Sequence, residues 1–279
     1  MTGDTIAAGR EGLKCRCPII EIGHGHGGRR TAGAFKDYFS GNSKGYAAFR
    51  PRYPKALAAW LASKSPARNL AWDAGCGTGQ LSVQLAELFA RVRATDASAE
   101  QVATAEPRPN IDYAAAPAEE SGLEPASADL VTVAQAAHWF DLPGFYAEVE
   151  RVAKPGALVA LISYGVFRID THLDPLLLGF HRGTLGDYWP AERRLVEDGY
   201  RGIAFPFREI APPDLFIEVQ WSLPDVLGYV GTWSAVKRLR DAGGEAALDR
   251  FAAAVADRWG APEQKRRARF PIAMRVGYR

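Results

Sequence analysis

The sequence has few cysteines, little net charge and no long apolar runs, and each absence excludes a class of protein. Its 279 residues include three cysteines, too few for a disulfide framework, so we expect a reducing, cytoplasmic setting. Basic and acidic residues nearly cancel, for a formal net charge of +2, so no nucleic-acid partner is expected. No apolar run approaches the ~18 residues of a membrane span, and no secretory signal pattern opens the sequence. We therefore expect no membrane association.

The first 33 residues differ in texture from the rest. They are rich in glycine and show neither the period of a strand nor that of a helix. Cys15, Cys17, His24 and His26 are of types that bind zinc, but paired cysteines in structural zinc sites are spaced more widely. The sequence predicts a flexible leader over residues 1–33, without a metal, and one folded domain over residues 34–279.

Short apolar segments alternate with segments of helical spacing from about residue 65 to residue 165. The predicted strands are Asn69–Ala74, Arg91–Thr95, Ile111–Ala115, Ala128–Ala134 and Ala157–Tyr164. Predicted helices are Lys55–Lys64, Gln80–Phe89, Ser98–Ala105 and Leu142–Val152. Parallel strands need crossover connections, so this alternation predicts a doubly wound α/β core. Ligands of such a core bind at the carboxyl ends of its strands.

The alternation stops after Gly165. A long aromatic segment, Phe167–Pro213, precedes a predicted strand, two helical stretches and a last strand: Leu215–Trp221, Pro224–Asp241, Gly244–Trp259 and Phe270–Tyr278. Residues 166–279 are therefore predicted to supply a helical cap and the C-terminal strands. The aromatic segment is placed to form a lid over the carboxyl edge of the sheet.

Three glycines on alternate positions follow the first predicted strand, in the segment D-A-G-C-G-T-G from Asp73 to Gly79. Glycine lets a backbone pass close to a ligand and adopt dihedrals that other residues avoid. The spacing is not that of the dinucleotide-binding motif, and no Gly-Lys-Ser/Thr follows as in a P-loop. A ligand without phosphate is therefore favoured.

An acid ends the second predicted strand. At this place an open α/β sheet presents a carboxylate to two ribose hydroxyls, and Asp96 occupies it. Alone, Asp96 is equally suited to cap the helix that begins at Ser98; together with Asp73 and the glycines, it favours a ribose. Glu119, after the third strand, is placed to cap a helix or to receive an adenine amino group.

The motifs resemble those of the class I S-adenosylmethionine (SAM)-dependent methyltransferases: D-A-G-C-G-T-G-Q, A-T-D-A-S, A-A-P-A-E-E-S, A-D-L-V-T-V-A-Q-A-A-H-W-F-D and V-A-K-P-G-A-L-V-A. With Y-A-A-F-R-P-R-Y-P and the late G-Y-V-G-T-W-S-A-V, the sequence is most similar to methyltransferase type 11, a branch that includes trans-aconitate methyltransferase-like proteins. The resemblance runs from about Phe35 to the end. It implies a Rossmann-like α/β fold with a mostly parallel seven-stranded sheet, an antiparallel last strand and an inserted helical cap.

The resemblance also implies the cofactor, SAM, its product S-adenosylhomocysteine (SAH), and the residues that hold them. Asp73, Gly75, Gly77 and Gly79 are expected to line the methionine part, Asp96 to hold the ribose, and Ala97, Ala118 and Glu119 to border the adenine. Gln135 is expected near the sulfonium. Tyr46 and Arg50 would close over the cofactor, with Arg50 pairing with its carboxylate or with an acidic substrate.

The predicted methyl acceptor is a small organic molecule. Its expected contacts are Trp139, Tyr164, His181, Tyr188, Trp189, Trp233 and Arg275. Carboxylate O-methylation is the first choice because of the trans-aconitate-like resemblance and Arg50. A carboxylate is already a nucleophile at pH 7, so this reaction needs no base.

Three alternatives remain open. If the acceptor is a phenol or a carbon acid, His138 in Q-A-A-H-W-F-D is the candidate catalytic base; the other interpretation is that its imidazole only shapes the pocket. The protein could instead bind SAM or SAH as a regulatory module without catalysis. A nucleic-acid methyltransferase is disfavoured, since no D/N-P-P-Y/F motif follows the fourth strand and the charge does not support it. Both a monomer and a homodimer fit the sequence.

Overall fold

A computed structural model describes residues 51–279. The predicted leader over residues 1–33, Tyr46 and Arg50 lie outside these described residues. No helix within 51–279 is both long and apolar enough to cross a bilayer. The same part of the chain holds no group of three His, Cys, Asp or Glu side chains suited to a metal ion.

Eight strands form one sheet within the described residues. They are β1 (Leu70–Ala74), β2 (Arg91–Asp96), β3 (Ile111–Ala115), β4 (Ala128–Ala134), β5 (Ala153–Tyr164), β6 (Arg208–Ile210), β7 (Leu215–Trp221) and β8 (Arg266–Tyr278). The order is β3-β2-β1-β4-β5-β8-β6, with β7 also paired to β8. Strands β1 to β5 pair in parallel, whereas β8 runs antiparallel to β5, β6 and β7. The predicted fold class is confirmed.

The sheet differs from the prediction in having eight strands instead of seven. Strand β8 is thirteen residues long, and one of its edges pairs with β5 over Ile272 to Tyr278. Its other edge is divided between β6, which pairs near Tyr278, and β7, which pairs from Ile272 back to Arg266. One long strand therefore accommodates two short ones, where sequence reasoning found only β7.

Nine α-helices cover and cap the sheet in the described part of the chain. They are α1 (Lys55–Lys64), α2 (Ser82–Ala86), α3 (Ala99–Ala103), α4 (Leu142–Val152), α5 (Asp174–Gly179), α6 (Arg193–Glu197), α7 (Leu223–Gly231), α8 (Ser234–Asp241) and α9 (Glu245–Trp259). The stretch predicted as one helix over Pro224–Asp241 is two, because the chain turns at Thr232 and Trp233. Ser222 and Asp225 form a capping box at the start of α7.

Alternate residues of the strands divide the core into two apolar clusters, one on each face of the sheet. In β5, Leu158, Ala160 and Ile162 belong to one cluster, and Val159 and Leu161 to the other. This follows from the period of two along a strand, and burial on both faces is typical of parallel sheets. Because both faces are covered, a ligand is admitted at the strand ends.

Candidate active site

A cavity of about 370 Å³ lies at the carboxyl ends of the central strands; we call it the cofactor cavity. Strand β1 pairs with β2 on one side and β4 on the other, so the cavity sits where the strand order reverses, the expected ligand position in an open α/β sheet. Eight predicted cofactor residues line it: Asp73, Gly75, Gly77, Asp96, Ala97, Ala118, Glu119 and Gln135. The structure thus brings together residues that are up to 62 positions apart along the chain.

Carboxylates supply the charge of the cofactor cavity. Asp73, Asp96 and Glu119 line it, and its described lining includes no Lys, Arg or His. Such a charge distribution disfavours phosphate and suits a cation, because opposite charges attract strongly where water is partly excluded. This set of residues therefore fits a sulfonium compound better than a nucleotide.

Asp73 is the buried acid of this cavity, with 1% of its surface exposed. Its Oδ2 accepts a hydrogen bond from the Ser82 hydroxyl at 2.6 Å, and its Oδ1 accepts one from the Thr132 hydroxyl at 2.8 Å. Burial raises the pKa of Asp73 to about 6, the two hydroxyls lower it, and the nearby Asp96 raises it. A cation bound beside Asp73 would relieve this cost of burying its charge.

Asp96 joins the glycine loop to the second strand. Its Oδ2 accepts a hydrogen bond from the Gly77 N–H at 2.8 Å, and its Oδ1 accepts one from the Ser98 N–H at 2.9 Å. Ser98 in turn caps α3, since its hydroxyl accepts from the Gln101 N–H at 3.3 Å. Asp96 therefore supports the helix start and also faces the cavity, so the two interpretations of its role are compatible.

The three glycines of the motif have different surroundings. Gly75 has φ +66°, and a Cβ there would lie 2.5 Å from the Ala136 Cβ. Gly77 has φ +56° and donates its N–H to Asp96. Gly79 does not line the cavity; a Cβ on it would overlap the hydroxyl of Tyr113 on β3. Gly79 thus permits close packing of the loop against the sheet.

A second cavity, of about 350 Å³, adjoins the first; we call it the aromatic cavity. Its walls include the five aromatic residues Trp139, Tyr164, Trp189, Tyr229 and Trp233, together with Gln135, His138, Arg193, Thr232 and Ser234. Gln135, Trp139 and Tyr164 line both cavities. A molecule in one cavity would therefore contact the same three residues as a molecule in the other.

Gln135 fixes the junction between the two cavities. Its backbone is in the left-handed region, with φ +61°, an uncommon conformation for a residue other than glycine. Its side-chain amide donates to the Tyr164 carbonyl and accepts from the Tyr164 N–H, both at 3.1 Å. The side chain thus acts as an additional rung between the ends of β4 and β5.

His138 lies in the wall of the aromatic cavity and is half-buried. Its Nδ1 is 3.0 Å from the hydroxyl of Tyr200. Burial and, secondarily, the charge of Arg193 lower the pKa of His138 to about 4. The imidazole is therefore neutral at pH 7 and is a weak base, which disfavours the general-base role considered from the sequence.

The predicted acceptor contacts do not all meet at one place. Trp139, Tyr164, Trp189 and Trp233 line the aromatic cavity. His181 lines a neighbouring cavity, where its ring contacts Trp189 with centroids 4.6 Å apart and a tilt of 36° between the ring planes. Burial lowers the pKa of His181 to about 3. Tyr188 packs against the core of the cap.

Arg275 lines none of these cavities. It forms an ion pair with Glu209 and donates to the carbonyls of Tyr200 and Ile203. The structure therefore gives Arg275 a supporting role, since its guanidinium holds the loop after α6 instead of facing a ligand.

Comparison with known proteins agrees with this geometry. The profile of a methyltransferase domain matches residues 72–161. A solved structure from Anaeromyxobacter dehalogenans, described as a type II methyltransferase, is 48% identical with a TM-score of 0.79, covering 82% of this chain and 97% of its own. A protein of Dictyostelium discoideum named as a methyltransferase is 35% identical over 222 residues, which are 78% of this chain and 84% of its own. The chain belongs to the class I methyltransferases.

More distant relatives match only the core of the methyltransferase. An uncharacterised methyltransferase of Mycobacterium tuberculosis is 37% identical over 114 residues, which are 40% of this chain and 46% of its own. The family implies the use of SAM, and the matched residues 72–161 include the eight predicted cofactor residues that line the acid-lined cavity.

Sequence reasoning missed several residues of the methyltransferase's two cavities. In the cofactor cavity these include Tyr53, Cys76, Gln80, Leu81, Gln101 and Phe140; in the aromatic cavity they are Arg193, Tyr229, Thr232 and Ser234. Cys76 and Gln80 lie within the segment D-A-G-C-G-T-G-Q, so the glycine motif was a signal that could have identified them. Arg193 stands in a segment without clear period, and only the folded chain brings it to the site.

Proposed function

We propose that the protein transfers a methyl group from SAM to a carboxylate oxygen of a small organic acid that binds in the aromatic cavity. The observation that carries this proposal is the pair of adjoining cavities, one lined by acids and one by aromatic rings, which share Gln135, Trp139 and Tyr164. Donor and acceptor held on either side of three common residues are brought into proximity, which by itself lowers a bimolecular barrier by several kcal/mol.

The residues of the cofactor cavity suit SAM. Gly75 and Gly77 would border its methionine part, Asp96 its ribose, and Ala118 and Glu119 its adenine, with Gln135 towards the sulfonium. When bound, SAM supplies an activated methyl group, whose transfer forms an oxygen–carbon bond, breaks the sulfur–carbon bond and leaves SAH. The protein's own residues orient the two molecules and exclude water from the junction.

The walls of the aromatic cavity indicate the class of acceptor. Aromatic rings favour a molecule with a flat or apolar body. The guanidinium of Arg193 lies 4.9 Å from the centre of the Trp189 ring, and it supplies the cationic side chain of the described lining. Arginine pairs well with carboxylates, so an acid with an apolar body is the acceptor that fits both features.

A carboxylate also fits the lack of a strong base. A phenol or carbon acid would have to lose a proton, and His138, with a pKa lowered to about 4, accepts protons poorly at pH 7. A carboxylate is ionised at that pH and attacks without losing a proton. Membership of the trans-aconitate-like branch would also imply an acidic acceptor, and Arg193 supports the same choice.

Calorimetric titration with SAM and with SAH tests the cofactor half of the proposal. Replacing Asp96 by Ala removes charge-assisted hydrogen bonds, so we expect binding to weaken by about 1.5–3 kcal/mol, or roughly 10- to 150-fold. Asp241→Ala, at an exposed acid on α8, is the matched control and should bind as the wild type does. No heat and no thermal shift with either compound would contradict SAM binding.

A matched panel of acceptors tests the other half. Benzoate, phenylacetate, trans-aconitate and phenol are incubated with isotopically labelled SAM, and labelled products are identified by mass spectrometry. We expect methyl esters from at least one acid and no product from phenol. Methylation of phenol alone would overturn the acid assignment, and tight SAM binding without turnover on any member would favour the regulatory alternative.

A further inference from the structure

The loop that follows α6 holds two successive residues in the left-handed region, Gly199 at φ +64° and Tyr200 at φ +61°. Glycine adopts this conformation freely, but a bulky aromatic residue there costs roughly 1–2 kcal/mol. Tyr200 keeps it because its N–H bonds to the Leu195 carbonyl at 2.8 Å and its own carbonyl accepts from Arg275. The surrounding contacts therefore force a strained residue into one position.

The result of this conformation is a fully buried ring beside His138. Tyr200 has 0% of its surface exposed, and the two rings stack with centroids 6.1 Å apart and an angle of 29° between them. The Tyr200 hydroxyl lies 3.0 Å from Nδ1 of His138. Among residues 51–279, Nδ1 is the ring nitrogen of His138 that has a hydrogen-bond partner, so Nε2 remains for a ligand of the aromatic cavity.

The direction of this hydrogen bond decides which nitrogen carries the imidazole proton. Burial raises the pKa of Tyr200, while the backbone N–H groups of His138 and Ala137, which interact with its oxygen, lower it part of the way. The phenol thus keeps its proton. Tyr200 is fully buried, and within residues 51–279 the hydrogen-bond partner of its hydroxyl is Nδ1 of His138. Because a buried hydroxyl proton needs an acceptor, that proton is directed to Nδ1, which must then be unprotonated.

We propose that Tyr200 is a positioning residue that locks His138 in the Nε2–H tautomer, so that His138 presents a hydrogen-bond donor to the aromatic cavity. The donor would hold one oxygen of the acceptor, leaving a second oxygen free to attack the methyl group. This role rests on the proposed function, but the tautomer itself does not, because it is set by the protein before any ligand binds.

The tautomer is measured by long-range ¹H–¹⁵N correlation spectra of full-length protein labelled with ¹⁵N-histidine, without cofactor or acceptor. The chain contains five histidines, and His138→Gln identifies the signals of His138. We expect a protonated Nε2 and an unprotonated Nδ1 at pH 7.5. An Nδ1–H pattern in the wild type would overturn the proposal, whether or not the protein proves to methylate acids.

Tyr200→Phe tests the cause. Without the hydroxyl, the locked pattern should become a mixture of both tautomers. The matched control is Tyr146→Phe, which removes a hydroxyl that bonds at 2.6 Å to the Ala204 carbonyl, on the same loop but away from His138; its spectrum should match the wild type at His138. A locked Nε2–H pattern that survives Tyr200→Phe would show that Tyr200 does not set the tautomer.

A second measurement does not depend on that variant folding. Protein in which tyrosine is replaced throughout by 3-fluorotyrosine carries a stronger hydroxyl donor in nearly the same volume. The Nδ1 resonance of His138 should shift relative to unfluorinated protein, while that of the other histidines in the described residues, His172 and His181, should not. An unchanged Nδ1 resonance would contradict the hydrogen bond on which the proposal depends.

Discussion

The two cavities are nearly equal in size, at about 370 and 350 Å³, but they are built in opposite ways. The cofactor cavity is formed mainly by strand ends and the loops that follow them, and its key surfaces are backbone and carboxylate. The aromatic cavity is formed by large side chains from the junction, from the segment around Trp189 and from the turn between α7 and α8. Local geometry makes the first, and long-range packing makes the second.

This difference teaches where each kind of substitution should act. A change in the glycine loop acts through backbone conformation and should affect SAM binding whatever the acceptor. A change in the cap acts through side-chain contacts and should affect the acceptor while leaving SAM alone. Five predictions sharpen this comparison, beginning with the largest expected effect.

Gly75→Ala should have the largest effect on the cofactor cavity. The new Cβ would lie 2.5 Å from the Ala136 Cβ, in a residue already at φ +66°. We expect at least a 100-fold loss of SAM affinity, measured by calorimetry on protein whose folding is checked by circular dichroism.

Gly156→Ala is the matched control for Gly75. Gly156 also has a positive φ, +78°, but nothing lies within 4 Å of a Cβ built on it. This variant should lose roughly 1–2 kcal/mol of stability from backbone strain and bind SAM normally. If both variants bound SAM equally well, close approach at Gly75 would not matter to the cofactor cavity.

Arg193→Gln should show the complementary pattern in the aromatic cavity. In the proposed function the guanidinium of Arg193 pairs with an acidic acceptor. Its loss should therefore raise KM for the best acid of the panel at least tenfold, while the Kd for SAM stays within twofold. Arg194→Gln, at the exposed neighbour on α6, should change neither value. A parallel loss of SAM affinity in Arg193→Gln would break the separation between the cavities.

The affinity for SAM should depend on pH through Asp73. Its pKa of about 6 in the free protein means that it is ionised above pH 6 and protonated below. Because a cation binds better beside the ionised form, affinity should be full above about pH 6.5 and should fall by up to tenfold per unit below pH 6. Calorimetry from pH 5 to 8 measures this slope, and Asp73→Asn should flatten it.

The effect of Asp73 on stability should have the opposite pH dependence: SAM affinity rises with pH, whereas the contribution of Asp73 to the stability of the free protein falls. The folded-state pKa of Asp73 lies above its ordinary value of 3.8, so its contribution to stability is present below that value and is lost as pH rises through 6. We therefore compare the Tm of Asp73→Asn with that of the wild type in the absence of SAM. The difference, variant minus wild type, should be more positive at pH 7 than at pH 4. An equal change at both values would contradict a raised pKa.

Trp139→Ala should have the smallest effect, and it should be felt on both sides. Trp139 lines both cavities but is 64% exposed, so its contacts with either ligand are partial. We expect the Kd for SAM and the KM for the acceptor each to rise about three- to tenfold. Trp139→Phe should restore both values in part. An effect confined to one cavity would remove Trp139 from the junction.

The fold and the cofactor cavity could be predicted from the sequence because their signals are local. The glycines of Asp73 to Gly79, Asp96 at a strand end and the alternation of apolar segments each depend on residues close together along the chain. The residues of the aromatic cavity could be predicted only in part. Arg193 and Tyr229 reach the aromatic cavity only through the packing of short helices, and no periodic pattern specifies that packing. Arg275 was expected at the acceptor because an arginine within a strand has the same appearance in sequence whether it faces a ligand or a loop.

The side chain of Gln135 bonds to both backbone groups of Tyr164, and this pairing has a consequence for how the enzyme could diversify. Because of this pairing, the part of the site at Gln135 and Tyr164 belongs to the sheet. The opposite wall comes from the helical segments around Trp189 and Trp233. Substitutions in these helical segments should therefore change which acceptor is bound without disturbing the binding of the methyl donor, so new acceptor specificities can arise on an unchanged sheet.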